Sequence, residues 1–418
     1  MKSLVCSESN VSILENKEMD VKKIRSDFPI LNSGIIYFDN AASSLTPEPV
    51  LEKMLEFYHQ YRANIERGVH HLSQKASEEY EQARVKAASF INAANSAEVV
   101  MTKNTTEGIN LIASGLDWKQ GDRIVTTALE HHSNFIVWLR AQKRSGAEVH
   151  VVKPSEQGLL NIDDFEKTVD DKTRLVALTH VSNILGTIAP VREIAEIAHR
   201  HGALLLVDGA QSVPHMEVDV RSLGCDFLAF SGHKMCAPTG SGVLYIRKEV
   251  VDQIEPLGIG GGTIADAGLE YFTLTKSPER FEAGTPPIAE AIGLGAATDY
   301  LRNIGLREVR EHEERLVRQM YQGLLEIPKV SVYGPEPEKR VGIVSFNVGN
   351  LNPHDVALAL DISANVMVRS GYHCSYPVMK EVIHAGAGTV RASLYIYNTR
   401  EEVDIFLATV REIATSLA

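Results

Sequence analysis

The chain has 418 residues, 44% hydrophobic and 23% charged, which is long enough for two globular domains around a sizeable core. Its formal charge is −12 with no run of lysine and arginine, so neither nucleic acid nor an anionic membrane surface is an expected partner. Four cysteines, at 6, 225, 236 and 374, form no CxxC, which excludes a zinc ribbon or disulfide framework and fits a reducing cytoplasm.

Residues 1–20 (MKSLVCSESNVSILENKEMD) lack the apolar stretch of a secretory signal, and their acidic residues are unlike a transit peptide. They read as a loosely ordered extension, with Met19 an alternative start. Residues 21–35 are expected to pack with the C-terminal domain. From about 75 to 250, helical stretches such as KASEEYEQARVKAASFINA and TTEGINLIASGL alternate with β-rich ones: RIVTTAL, AEVHVVK, RLVALTHV, ALLLVDGA, CDFLAFSG and GSGVLYI. Several of these are apolar throughout, as strands of a parallel sheet covered on both faces are. VREIAEIAHRHG reads as a crossover helix stopped by Gly202. The expectation is a large α/β domain over 36–290, its mostly parallel sheet covered by helices. The longest apolar stretches, such as GALLLVDGA, are too short to span a bilayer.

After about 290 come two amphipathic helical patterns, AIGLGAATDYLRNIG and REVREHEERLVRQMYQGLLEI, then strands around VSVYG, GIVSFNV, NVMVRSG and TVRASLYIY, and a last helix from about Glu401. This is expected to be a smaller α+β domain, 291–418, sharing an interface with the first.

Asp208 falls just past one strand, in VDGAQ, and Ser231, Gly232, His233 and Lys234 just past the next. In open α/β sheets ligands bind off the carboxyl ends of strands. A lysine alone is usually solvated, but with an acid in the same crevice it fits pyridoxal phosphate chemistry. The amine bonds the cofactor's aldehyde, and the carboxylate keeps the pyridine nitrogen protonated. Asn104, Thr105 and Thr106 stand at a helix start, where they cap it and where backbone N–H groups also bind phosphate. The pairs His131-His132 and His70-His71 make poor chelates, because adjacent side chains diverge, and no metal site is expected. One imidazole of the first pair suits a position over an aromatic cofactor ring. LGIGGGTIAD is glycine-rich but not a dinucleotide fingerprint. Cys374, taken alone, reads as a packing residue rather than as chemistry.

Together, YFDNAASS, TTEGIN, EHHSN, THVSNILG, VDGAQ, SGHK, RFEAGTP, RSGYHC and RASLYIYNT resemble the cysteine desulfurase and selenocysteine lyase family, over about residues 21–418 and in the family's order. The resemblance implies the class V aminotransferase fold, which is fold type I of the pyridoxal phosphate enzymes. It also implies the site. Lys234 matches the cofactor-linked lysine, Asp208 the partner of the pyridine nitrogen, Gln211 the partner of the ring hydroxyl, and His131 the catalytic histidine stacked on the ring. Thr105, Thr106, Ser231 and His233 match phosphate ligands. Thr285 matches a residue that reaches the phosphate of a neighbouring subunit, which implies a homodimer. Arg391 matches the arginine for the substrate carboxylate, with Asn183, Arg369 and Asn40 expected beside the substrate. Cys374 matches the cysteine that accepts sulfur as a persulfide. The implied reaction converts L-cysteine to L-alanine and supplies sulfur to a protein acceptor for iron–sulfur cluster assembly. Selenocysteine lyase, sulfinate desulfinase and class V aminotransferase are the alternatives. The short RSGYHCSYP loop is similar to group II members. It departs from them at Tyr372, where a histidine is common, and Met235-Cys236 after the lysine is a second departure, with Cys236 expected to pack.

Overall fold

The computed structural model describes residues 19–416, so the expected N-terminal extension lies, up to residue 18, outside the described residues. A seven-stranded sheet is built from β1 (Val99–Thr102), β2 (Arg123–Thr127), β3 (Glu148–Val152), β4 (Thr173–Thr179), β5 (Leu204–Asp208), β6 (Phe227–Ser231) and β7 (Gly242–Ile246), in the order β1-β7-β6-β5-β4-β2-β3. β2 to β6 run parallel, whereas β7 is antiparallel to both neighbours. The connection 232–241 explains the reversal, because it is too short for the crossover that a parallel return needs. Side chains alternate between two apolar cores. Leu205, Val207, Leu228 and Phe230 face one; Leu204, Leu206, Phe227 and Ala229 face the other. This double burial is why the strands read as continuous apolar runs.

The sheet is flanked by α1 (His71–Phe90), α2 (Thr105–Gly115) and the crossover helix Val191–Arg200, which is followed by Gly202 at φ 72°. The expected domain boundary at 290/291 falls inside α3 (Ile288–Ile304), which packs on α1 and on the helix Glu48–Gln60 and so belongs with the large domain. AIGLGAATDYLRNIG is not amphipathic in the fold: Ala291, Ile292, Gly293, Leu294 and Gly295 are all buried in succession. α4 (Leu306–Leu325) starts in the first core, which holds Leu306 and Val309, and ends in the core of the second sheet, which holds Leu316, Val317 and Met320.

The second sheet joins β8 (Val330–Tyr333), β9 (Ile343–Val348), β10 (Arg369–Gly371) and β11 (Thr389–Ser393) in the antiparallel order β8-β9-β11-β10. Helices α5 (Pro353–Ala364) and α6 (Arg400–Ser416) complete this domain. Ile36–Tyr37 pairs with Val366–Met367 and Asp39 bridges to Ser393, so residues 36–39 hang on the small domain rather than opening the large one. The segment before them packs on both domains. Phe28 meets Tyr300 and Tyr397 edge-on, and Arg25 binds Tyr397 O at 2.5 Å and Glu402 at 2.7 Å.

Candidate active site

Three strand ends converge on a cavity of about 250 Å³ between the two domains. Asp208 ends β5, its buried carboxylate accepting the Ala210 N–H at 2.9 Å. Burial pushes its pKa up, opposed by that hydrogen bond and by Lys234. Lys234 closes the short turn Gly232–Lys234 that follows β6. Glycine is required at 232, because a Cβ there would stand 2.2 Å from Ser241 Oγ. Burial brings the Lys234 pKa down to about 8, despite the nearby Asp208 carboxylate, and Arg391 and Arg369 lower it further.

At one end of the cavity, Asn104 caps α2 by accepting the Glu107 N–H at 2.9 Å. The Thr105 N–H reaches Ser231 Oγ at 2.9 Å and the two hydroxyls lie 2.7 Å apart. With Thr106 and His233, this end presents hydroxyl, amide and imidazole donors and the positive end of a helix. His131 lies along the cavity. Its Nδ1 accepts the Ser133 backbone N–H at 3.1 Å, which leaves the proton on Nε2, and Ser133 Oγ links it to Thr106 Oγ1 at 2.7 Å. Burial, with Lys234 next, lowers the His131 pKa to about 3, so the ring is neutral.

The other end is cationic. Arg369 and Arg391 sit opposite each other on β10 and β11. Arg391 is buried, held through Nη1 to Asn183 O at 2.9 Å and Nη2 to Asp39 at 3.2 Å. Cys374 is exposed at the rim and lines the same cavity. His373 is buried, its Nε2 near Thr389 O and Oγ1, and burial lowers its pKa to about 2.

The lining suits a planar, anionic cofactor: phosphate donors at one end, a carboxylate and a lysine at the middle, a flat neutral imidazole beside them. Gln211 Oε1, Asn183 Oδ1 and Arg391 Nε are buried without a protein partner, as expected of atoms awaiting a ligand. Among the described residues no cluster of histidine, cysteine or carboxylates could hold a metal ion.

Two expected residues are not in this cavity. Asn40 is buried behind it. Its Nδ2 donates to Ser393 O at 2.6 Å and to Asn398 Oδ1 at 3.2 Å, and its Oδ1 accepts from the Tyr397 hydroxyl, so the side chain joins segments rather than meeting substrate. Asn40→Ala is expected to lower unfolding stability by about 2–4 kcal/mol in a urea titration. Thr285 is exposed and lines a separate cavity of about 270 Å³ with Thr102, Lys103 and Glu107. Cys236 is fully buried, and burial raises its pKa to about 12, so it packs. Asp39 and Ser133, which orient Arg391 and His131, went unremarked in the sequence. Both sit inside quoted motifs, but only contact geometry separates them from their neighbours.

The fold and cavity are those of the class-V aminotransferases, whose family profile the chain matches over residues 36–406. A probable cysteine desulfurase of Pyrococcus abyssi is 50% identical over 398 residues, covering 94% of this chain and 98% of that protein. One of Halalkalibacterium halodurans is 47% identical, covering 92% and 96%. The apo structure of cysteine desulfurase from Thermococcus onnurineus NA1 superimposes with a TM-score of 0.92 at 49% identity, covering 96% of this chain and all of that one. The chain therefore belongs to the cysteine desulfurases, and membership of the class-V family implies pyridoxal phosphate as cofactor. No helix among the described residues is long and apolar enough to cross a membrane.

Proposed function

We propose that this protein takes sulfur from L-cysteine, releases L-alanine and holds the sulfur as a persulfide on Cys374. The observation that carries this reading is the meeting of Lys234, the Arg369–Arg391 pair and Cys374 around one cavity. Bound pyridoxal phosphate would withdraw electrons from the substrate's α-carbon. Asp208, Gln211 and His131 are the residues to hold its ring, with Thr105, Thr106, Ser231 and His233 at its phosphate.

Arg391 offers its guanidinium to the substrate carboxylate, with Arg369 and Asn183 beside it. Lys234, with a pKa of about 8, has a neutral fraction at physiological pH and can carry a proton from the α-carbon. The Cys374 thiolate attacks the substrate sulfur. An S–S bond forms as the Cβ–S bond breaks, its electron pair stays with carbon, and a proton completes the methyl group of alanine.

The rim position of Cys374 supports direct transfer of the persulfide to an acceptor protein, and we infer that this sulfur serves iron–sulfur assembly in the cytoplasm. A homodimer is supported by exposed Leu257, Ile259, Leu269, Tyr271 and Phe272, which share the 255–287 region with Thr285. Thr285 is then free to reach the partner's phosphate end.

The test is an assay of alanine and sulfide from L-cysteine with and without a reductant, run beside L-selenocysteine. Alanine with sulfide released only on reduction is the expected result. Absence of alanine from L-cysteine, with turnover of selenocysteine, would replace this reading with selenocysteine lyase.

A further inference from the structure

We propose that His132 and Tyr376, backed by Tyr372, are positioning residues that latch the Cys374 loop onto the large domain and so determine how well the enzyme handles sulfur. The proposal rests on Cys374 being the sulfur acceptor.

The loop is held in a conformation that its residues do not favour. His373 and Cys374 lie at φ 49° and 57°, after Gly371 at φ 103°. Consecutive non-glycine residues in the left-handed region persist only where surrounding contacts impose them. Here the contacts come from Asn183, whose Nδ2 donates to His373 O at 2.8 Å, from Thr389 at the His373 ring, and, for Cys374 and the residues after it, from the segment 130–132. The His132 N–H donates to Cys374 O at 2.8 Å, and Ser375 Oγ donates to Glu130 O at 2.5 Å. The Tyr376 N–H donates to His132 Nε2 at 3.1 Å.

The same two residues also stack. The rings of His132 and Tyr376 lie 5.2 Å apart at 19°, and Tyr372 lies 4.6 Å from Tyr376 at 38°. Tyr372 is itself fixed by its hydroxyl, which donates to Gly386 O at 2.8 Å. Residues 130 and 132 thus grip the nucleophile's loop while His131, between them, lines the cavity. One short strut sets the position of the imidazole and of Sγ together.

Tyr372 takes on a role in this arrangement. The sequence marks it as a departure from the histidine common at that place, and it forms the third, half-buried ring of the stack, on the side of Tyr376 away from His132.

Attack on sulfur needs Sγ at a defined place, whereas selenium leaves more readily and depends less on Cys374. Losing the latch should therefore cut turnover of L-cysteine and spare L-selenocysteine. Damage to the cofactor or carboxylate pocket would lower both.

The experiment compares Tyr376→Ala, Tyr376→Phe, His132→Ala and Cys374→Ala in the cofactor-loaded enzyme. Expected for Tyr376→Ala is a kcat for L-cysteine lowered about tenfold, a KM within about twofold and selenocysteine turnover near the parent value. Tyr376→Phe, which keeps the ring and backbone N–H, should restore kcat. His132→Ala should behave as Tyr376→Ala does.

A second readout needs no turnover. Alkylation of Cys374 by iodoacetamide, followed by mass spectrometry of its peptide, should quicken more than about threefold in Tyr376→Ala, because Sγ is freed from the cavity. An unchanged kcat, an equal loss on both substrates, or an unchanged alkylation rate would each overturn the proposal. Full L-cysteine turnover in Cys374→Ala would instead overturn the underlying reading, an outcome that the alkylation rates keep separate.

Discussion

Replacing Lys234 with alanine is expected to remove L-cysteine turnover, by roughly 10⁴-fold or more, together with the visible absorption of the lysine-linked cofactor. The effect should be this large because no other amine lines the cavity among the described residues. Burial lowers the Arg391 pKa to about 10, still well above physiological pH, so its guanidinium stays a cation there and cannot accept the α-proton. A second consequence concerns stability. In the cofactor-free protein the Lys234 pKa is about 8 against 10.5 in the unfolded chain, so between these values the unfolded state binds more protons and stability rises with pH. Below pH 8 the buried ammonium is a full penalty in the fold, worth up to about 3 kcal/mol and less by whatever water in the cavity screens. Lys234→Ala should remove this contribution, so the variant's advantage in stability over the parent should shrink from pH 7 to pH 10. Urea titrations of the stripped parent and variant at the two pH values measure it, and a parent–variant difference that does not change with pH would refute the assignment.

Much of this arrangement is legible in the chain because burial leaves a direct mark. β5 and β6 are apolar on both faces, so ALLLVDGA and CDFLAFSG announce strands, and the polar residues that follow each must stand at its carboxyl end. The reversed direction of β7 and the strand order are not written in any local pattern, since they depend on connection length and on which faces need covering. Motif membership also says little about where a side chain points. Asp39 and Asn40 are neighbours in YFDNAASS, but side chains of adjacent residues leave the backbone on different sides. Asp39 therefore reaches Arg391 while Asn40 turns to Ser393 and Asn398. That residues 290 and 291 fall inside one helix is hidden in the sequence for a related reason. A run such as AIGLGAATDYLRNIG shows that a helix packs closely, but not whether it packs on α1 or on the second sheet.

Cys374→Ala is expected to lower L-cysteine turnover by about 10³-fold or more while L-selenocysteine turnover falls far less. Cys374 is the one exposed thiol among the described residues, since Cys225 and Cys236 are buried and burial raises the pKa of both. A buried, protonated thiol is a poor nucleophile, so neither can take over. Substrate binding should survive, because Arg391, Arg369 and Asn183 are untouched, and the loss should therefore appear in kcat with KM little changed. Mass spectrometry of the parent after L-cysteine should show one added sulfur on the peptide that holds Cys374 and none on those of Cys225 or Cys236. If the variant releases alanine from L-cysteine at the parent rate, the sulfur leaves without a protein thiol, and the exposure of Cys374 at the cavity rim loses its mechanistic meaning.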